Sequence, residues 1–248
     1  MTVDPQPRVA LIGGGFSDDE DGLLDDWVLG RVRASRPKVC FVPTASGDAP
    51  AYVERFLAAF RERPCEPSVL PLFRRELDDE ALRAFVLGQD VVYVGGGSTV
   101  NLLAVWRAHG VDRLLREAYG RGTLLCGISA GANCWAEGSH TDSFGPPTHL
   151  ADGLGLLPGS VCPHYISEPG RRSSYLAAVA NRALPSGWAL EDGVGALFTD
   201  GRLTDAVTRS PRARLHRVEP DGDGGATERA VPCRLLGPHR VTGRASTS

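Results

Sequence analysis

One lysine, Lys38, stands among the 248 residues, there is a single methionine, and none of the six cysteines lies in a C-x-x-C pair. Each scarcity removes a class of chemistry. Pro37 precedes the lysine, so no G-x-x-x-x-G-K-[ST] phosphate loop exists. A mechanism that needs an active-site lysine has only Lys38 to use. Without paired cysteines, zinc knuckles and thioredoxin-type redox sites are poor readings. Cys40, Cys65, Cys126, Cys134, Cys162 and Cys233 instead read as small buried hydrophobes, several inside apolar runs. His140-x-Asp142 and Cys162-x-His164 lack a further partner set for a metal. No metal and no cofactor is expected. No apolar stretch approaches the ~20 residues of a membrane helix, and the opening MTVDPQPR has no apolar signal-peptide core. A cytoplasmic protein without a membrane partner is expected. A formal net charge of −3, from 27 Lys+Arg against 30 Asp+Glu, leaves no basic footprint for nucleic acid.

What is present suffices for a core, with 42% hydrophobic and 23% charged residues. One domain over 1–248 is expected, with its core at about 8–208 and a hairpin and tail at about 209–248. The first two thirds alternate between short apolar runs and amphipathic segments. Arg8–Ile12 runs into Gly13-Gly14-Gly15. Ser17 with Asp18, Asp19 and Glu20 reads as a helix cap and acidic first turn, the helix continuing to about Val32. Lys38–Val42, Ser68–Leu72, Asp90–Val94 and Thr123–Ile128 read as strands. Ala51–Arg63, Asp78–Leu87, Val100–Ala108 and Val111–Tyr119 read as helices. Strands apolar on both faces and separated by helices predict a mostly parallel sheet in an α/β/α sandwich. Ligands in such sheets bind at the carboxyl ends of strands. Past about Ser186, Trp188–Leu190, Ala196–Thr199 and Leu203–Thr208 read as antiparallel hairpins, split by Glu191-Asp192-Gly193 and Asp200-Gly201. Asp221–Ala226 joins Arg214–Val218 to Ala230–Leu236 in a last hairpin, with a frayed tail beyond Pro238.

Gly127-Ile128-Ser129-Ala130-Gly131 matches G-x-S-x-G at the end of a buried strand, with Ala130–Glu137 able to form a short helix. A nucleophilic serine on so sharp a turn needs small neighbours, and the helix start offers N–H groups to an oxyanion. A second donor loop is available in Gly95-Gly96-Gly97-Ser98-Thr99. Neither this run nor Gly13–Gly15 carries the third glycine of a dinucleotide-binding turn. Of the histidines, His164 ends an apolar segment and is placed at another strand end. His109 precedes Gly110 at a helix C-terminus, while His140 and His149 read as solvated loop residues.

With GGGST, GISAGANCW and GLGLLPGSVCPHY in that order, the chain resembles the peptidase E family of serine peptidases over roughly Val9 to Val207. That family is related to the cyanophycinases within the class I glutamine amidotransferase-like superfamily. The resemblance implies a three-layer α/β/α fold, the nucleophile at Ser129, the base at His164, and oxyanion donors at the N–H groups of Gly97 and Ala130. The acidic third member falls on Asp192, the preferred reading, or on Glu191; Asp142 is a further candidate. Ser98 stands where the family typically has asparagine. Arg171 or Arg172 would hold a substrate carboxylate. A small peptide substrate, of the Asp-X class in the family, and a homodimer are implied by the resemblance alone. A cyanophycinase-like exopeptidase, an esterase, and a binding protein with a vestigial triad are the alternatives.

Overall fold

The computed structural model describes residues 6–14 and 21–237. The cap expected at Ser17–Glu20, Gly15, His239 and the tail beyond Pro238 lie outside the described residues. In chain order the elements are β1 (Arg8–Ile12), α1 (Leu23–Leu29), β2 (Lys38–Val42), a 3-10 turn (Thr44–Ser46), α2 (Pro50–Arg61), β3 (Glu66–Val69), α3 (Asp79–Leu87), β4 (Val91–Val94), α4 (Thr99–His109), α5 (Val111–Gly120) and β5 (Leu124–Ile128). There follow α6 (Ala130–Asn133), β6 (Ala136–Thr141), β7 (Thr148–Leu150), β8 (Leu157–Cys162), α7 (Arg171–Ala180), β9 (Gly187–Leu190), β10 (Val194–Thr199), β11 (Arg202–Thr208), β12 (Leu215–Pro220), β13 (Ala226–Val231) and β14 (Arg234–Leu235).

The main sheet has the order β14-β11-β10-β1-β5-β4-β2-β3. Its β3-β2-β4-β5-β1 half is wholly parallel, and β10 joins β1 antiparallel. Period-2 alternation along these strands feeds two cores. Val9, Leu11, Cys40, Val42, Val92, Val94 and Leu125 face one side, with Trp106 and Trp135. Ala10, Ile12, Val39, Phe41, Tyr93, Leu124 and Cys126 face the other, under Trp27, Phe56 and Phe60 of α1 and α2. The expected α/β fold with a parallel sheet is therefore present. Five of the six cysteines are buried within it and Cys233 is half-buried. None of the described helices is long and apolar enough to cross a membrane.

A second sheet, β13-β12-β9-β8-β6-β7, departs from the expected layering. Leu157, Val161, Leu190 and Leu215 of this sheet enter the same hydrophobic core as one face of the main sheet. The helix expected at Ala130–Glu137 stops at Asn133, and the chain turns directly into β6. The expected hairpin across Glu191-Asp192-Gly193 is also corrected. β9 pairs with β8 and β12, whereas β10 pairs with β1 and β11, so those three residues cross from one sheet to the other. The hairpin across Asp200-Gly201 and the last one, β12–β13, form as expected.

Candidate active site

Ser129 stands between β5 and α6 with φ 55 and ψ −118, a positive-φ conformation that costs a side chain about 1–3 kcal/mol. The flanking glycines are required by contact. A Cβ on Gly127 would lie 2.0 Å from the Gly131 carbonyl oxygen, and one on Gly131 would lie 2.2 Å from that of Val94. Helix and strand thus meet too closely for any side chain. Ala132 and Asn133 donate their N–H groups to the Ser129 carbonyl. The N–H of Ala130, the first helical residue, has no carbonyl of its own helix to meet.

The triple glycine after β4 lies against this turn, with the Cβ position of Gly96 3.2 Å from Ser129 Cβ. Gly97 has φ 137, and a Cβ there would meet the Ala45 carbonyl oxygen at 2.2 Å. Only glycine fits. The loop is fixed by Tyr52, whose hydroxyl accepts from Gly96 N–H at 3.1 Å, and by Ser98 N–H donating to Ala45 at 2.8 Å. Among the described residues, Gly97 N–H makes no hydrogen bond. Ser98 also caps α4, accepting from Asn101 N–H at 3.3 Å.

His164 follows β8 with φ 54, a second strained non-glycine residue. Its Nδ1 lies 2.7 Å from Asp192 Oδ1. The three acidic candidates have three different partners. Glu191 Oε1 is 2.8 Å from His216 Nε2, and Asp142 Oδ2 is 3.4 Å from an Arg171 nitrogen. The Asp192 carboxyl sits below its usual range. Partial burial opposes ionisation, but hydrogen bonds from His164 and Ser167 and the charges of His164 and Arg171 outweigh it. The end of β1 links the two halves. Ser129 N–H donates to Ile12 at 3.4 Å, and two residues on, a Cβ on Gly14 would lie 2.3 Å from Asp192 Oδ1 and 3.0 Å from His164 Cε1.

This geometry has relatives. The model of peptidase family S51 matches residues 9–205. The chain belongs to peptidase family S51. It is 46% identical over 211 residues to the uncharacterized peptidase YgaJ of Bacillus subtilis (strain 168), covering 85% of this chain and 90% of that one. It is 28% identical over 207 residues to the cyanophycinase of Trichormus variabilis (strain ATCC 29413 / PCC 7937), covering 78% and 68%. A solved peptidase from an acI-B1 Actinobacterium shares the fold at TM-score 0.66 and 17% identity, over 93% of this chain and 96% of that chain.

In this S51 chain the two arginines singled out from the sequence already have carboxylate partners. Arg171 is 2% exposed, bonded to Glu168, near Asp142, and donating to the His140 carbonyl at 3.3 Å. Arg172 grips Glu228 of β13, with Nε 3.0 Å from Oε1. His140 is a correction. The expected solvated loop residue lies in β6, fully buried, with Nε2 2.9 Å from Ser174 Oγ. Three site-forming residues carried no motif: Tyr52 under the triple glycine, Ser167 on Asp192, and Ser143, whose Oγ accepts from Thr99 N–H at 2.8 Å. Tyr52 comes from α2 and Ser143 from the β6–β7 connection, far along the chain from the glycine loop, where no spacing rule reaches; Ser167 lies only three residues after His164 but in no motif.

Burial, then the charge of Arg171, pushes the His140 pKa down to about 4. The unfolded chain therefore takes this proton near pH 6.5, before the folded chain does. Stability is expected to fall between those limits as pH drops, by roughly 3 kcal/mol from pH 7 to pH 4 through this residue. Urea unfolding at both pH values checks it: His140→Gln should show a smaller acid loss than the parent, and equal losses would refute the assignment.

Proposed function

We propose that this peptidase hydrolyses small peptides, as a dipeptidase or exopeptidase, through Ser129, His164 and Asp192 and an acyl-enzyme. The observation that supports the reading is the 2.7 Å contact between His164 Nδ1 and Asp192, a pair that meets Gly14 at the end of β1, the same strand end whose Ile12 carbonyl accepts from the N–H of the strained elbow serine. With Nδ1 engaged by a carboxylate, Nε2 is left to accept the Ser129 proton. The serine oxygen attacks the peptide carbonyl. Gly97 and Ala130 N–H groups receive the oxyanion, each such donor typically being worth ~3 kcal/mol. His164 then protonates the leaving amine, and water releases the acyl group by the reverse sequence.

Asp-X dipeptides are one substrate class under this proposal, but an aspartate held by Arg171 or Arg172 would have to compete with Glu168 or Glu228. A second reading, a cyanophycinase-like exopeptidase, is supported by the cyanophycinase relative. A panel of Asp-X dipeptides, neutral dipeptides, β-aspartyl peptides and p-nitrophenyl esters separates them. At least one peptide should be cleaved, with neutral dipeptides turned over no more slowly than Asp-X. Preference for β-aspartyl peptides would favour the second reading, ester cleavage alone an esterase. No Ser129-dependent turnover at all would leave a binding protein with a vestigial triad.

A further inference from the structure

The β12–β13 hairpin reaches both His164 and Asp192 through their immediate neighbours in the chain. Tyr165, next to His164, is fully buried and donates its hydroxyl to Glu228 of β13. Its N–H donates to Leu190 at 3.1 Å. Glu191, next to Asp192, bonds His216 of β12 at 2.8 Å, and its N–H donates to Arg214 at 3.2 Å. The two anchors share one face of the hairpin. Glu228 pairs with Val218, two residues from His216, so the side chains of 216 and 228 are diagonal neighbours. The Tyr165 ring lies between them, its centroid 5.2 Å from that of His216. Arg172 at the start of α7 closes the group by gripping both oxygens of Glu228, at 3.0 and 3.1 Å from Nε.

We propose that Glu228 and His216 are positioning residues, which hold the His164–Asp192 pair in register through Tyr165 and Glu191. The proposal rests on the triad reading above. Both paired residues need such support. His164 sits in a left-handed conformation that its own side chain disfavours. Asp192 is 46% exposed on a crossing between two sheets, with Gly193 at φ 79 beside it. Neither is fixed by its own burial. A displacement near 1 Å at a proton-transfer pair is enough to cost ~100-fold in rate.

A mere staple between hairpin and helix would lower the melting temperature and leave the turnover of folded molecules unchanged. The test is therefore a double-mutant cycle on the full chain, using the panel substrate with the highest Ser129-dependent rate. Tyr165→Phe and Glu228→Ala should each lower kcat roughly tenfold or more with KM within about twofold. The double variant should be no worse than the worse single, because both cut one link. Glu228→Gln, which still accepts the tyrosine hydroxyl, should recover most of kcat. Tyr165→Phe removes one oxygen and is expected to fold even if Glu228→Ala does not. Wild-type kcat in Tyr165→Phe, or effects that multiply in the double variant, overturns the proposal while Ser129→Ala remains inactive. Turnover that survives Ser129→Ala overturns the triad reading, and this inference with it.

Discussion

Ser129→Ala is expected to lower turnover of any cleaved peptide by about 10⁴-fold or more, with KM little changed and the fold intact. The size follows from what is lost. Without the hydroxyl there is no acyl-enzyme, and only the two main-chain donors and substrate positioning remain. The fold should survive because alanine keeps the same Cβ at φ 55, so the turn's strain is neither added nor released. The side chain is half-buried in the open end of the sheet, so no core cavity forms. Circular dichroism and a melting curve should match the parent. A folded Ser129→Ala protein that still cleaves at wild-type rate would end the nucleophile assignment.

Asp192→Asn should cost about 10³–10⁴-fold in kcat, since an amide donates where the imidazole needs an acceptor and so favours the wrong tautomer. The comparison that decides is with its two rivals. Glu191→Gln keeps an acceptor for His216, and Asp142→Asn only loosens a 3.4 Å contact to an arginine that Glu168 also holds. Both should stay within a few fold of the parent. A larger loss in either of these than in Asp192→Asn would move the third role elsewhere. Because Asp192 is ionised below the usual carboxylate range, its own protonation should not shape the pH–rate profile near neutrality.

Local rules made much of this legible. Gly127, Ser129 and Gly131 are readable because the pattern spans five consecutive positions; the contact that excludes a side chain at Gly127 comes from Gly131 within it, while the one at Gly131 comes from Val94 of β4. The runs at β1, β2, β4 and β5 are readable because burial on both faces leaves no polar alternation. His140 was not readable. Its strand, Ala-Glu-Gly-Ser-His-Thr, is polar in composition, and α7 covers its ring through Ser174, 34 residues on. Glu191-Asp192-Gly193 looks like a hairpin turn because short-range turn chemistry is the same whether the next strand returns or changes sheet.

The order of residues along the chain, by itself, pointed to the α/β class, the elbow serine and the glycine loop, since the apolar runs, the G-x-S-x-G pentapeptide and the triple glycine are each written in consecutive residues, even though the contacts that demand glycine at 131 and 97 come from Val94 and Ala45. Which carboxylate meets His164, which guanidiniums are already engaged, and that the last hairpin backs the site were decided only by tertiary packing. The His164–Asp192, Tyr165–Glu228 and Arg172–Glu228 contacts join positions 28 to 63 residues apart, and hydrogen bonding there depends on how distant elements pack, which no local pattern encodes; the Arg171–Glu168 pair, three residues apart, is local.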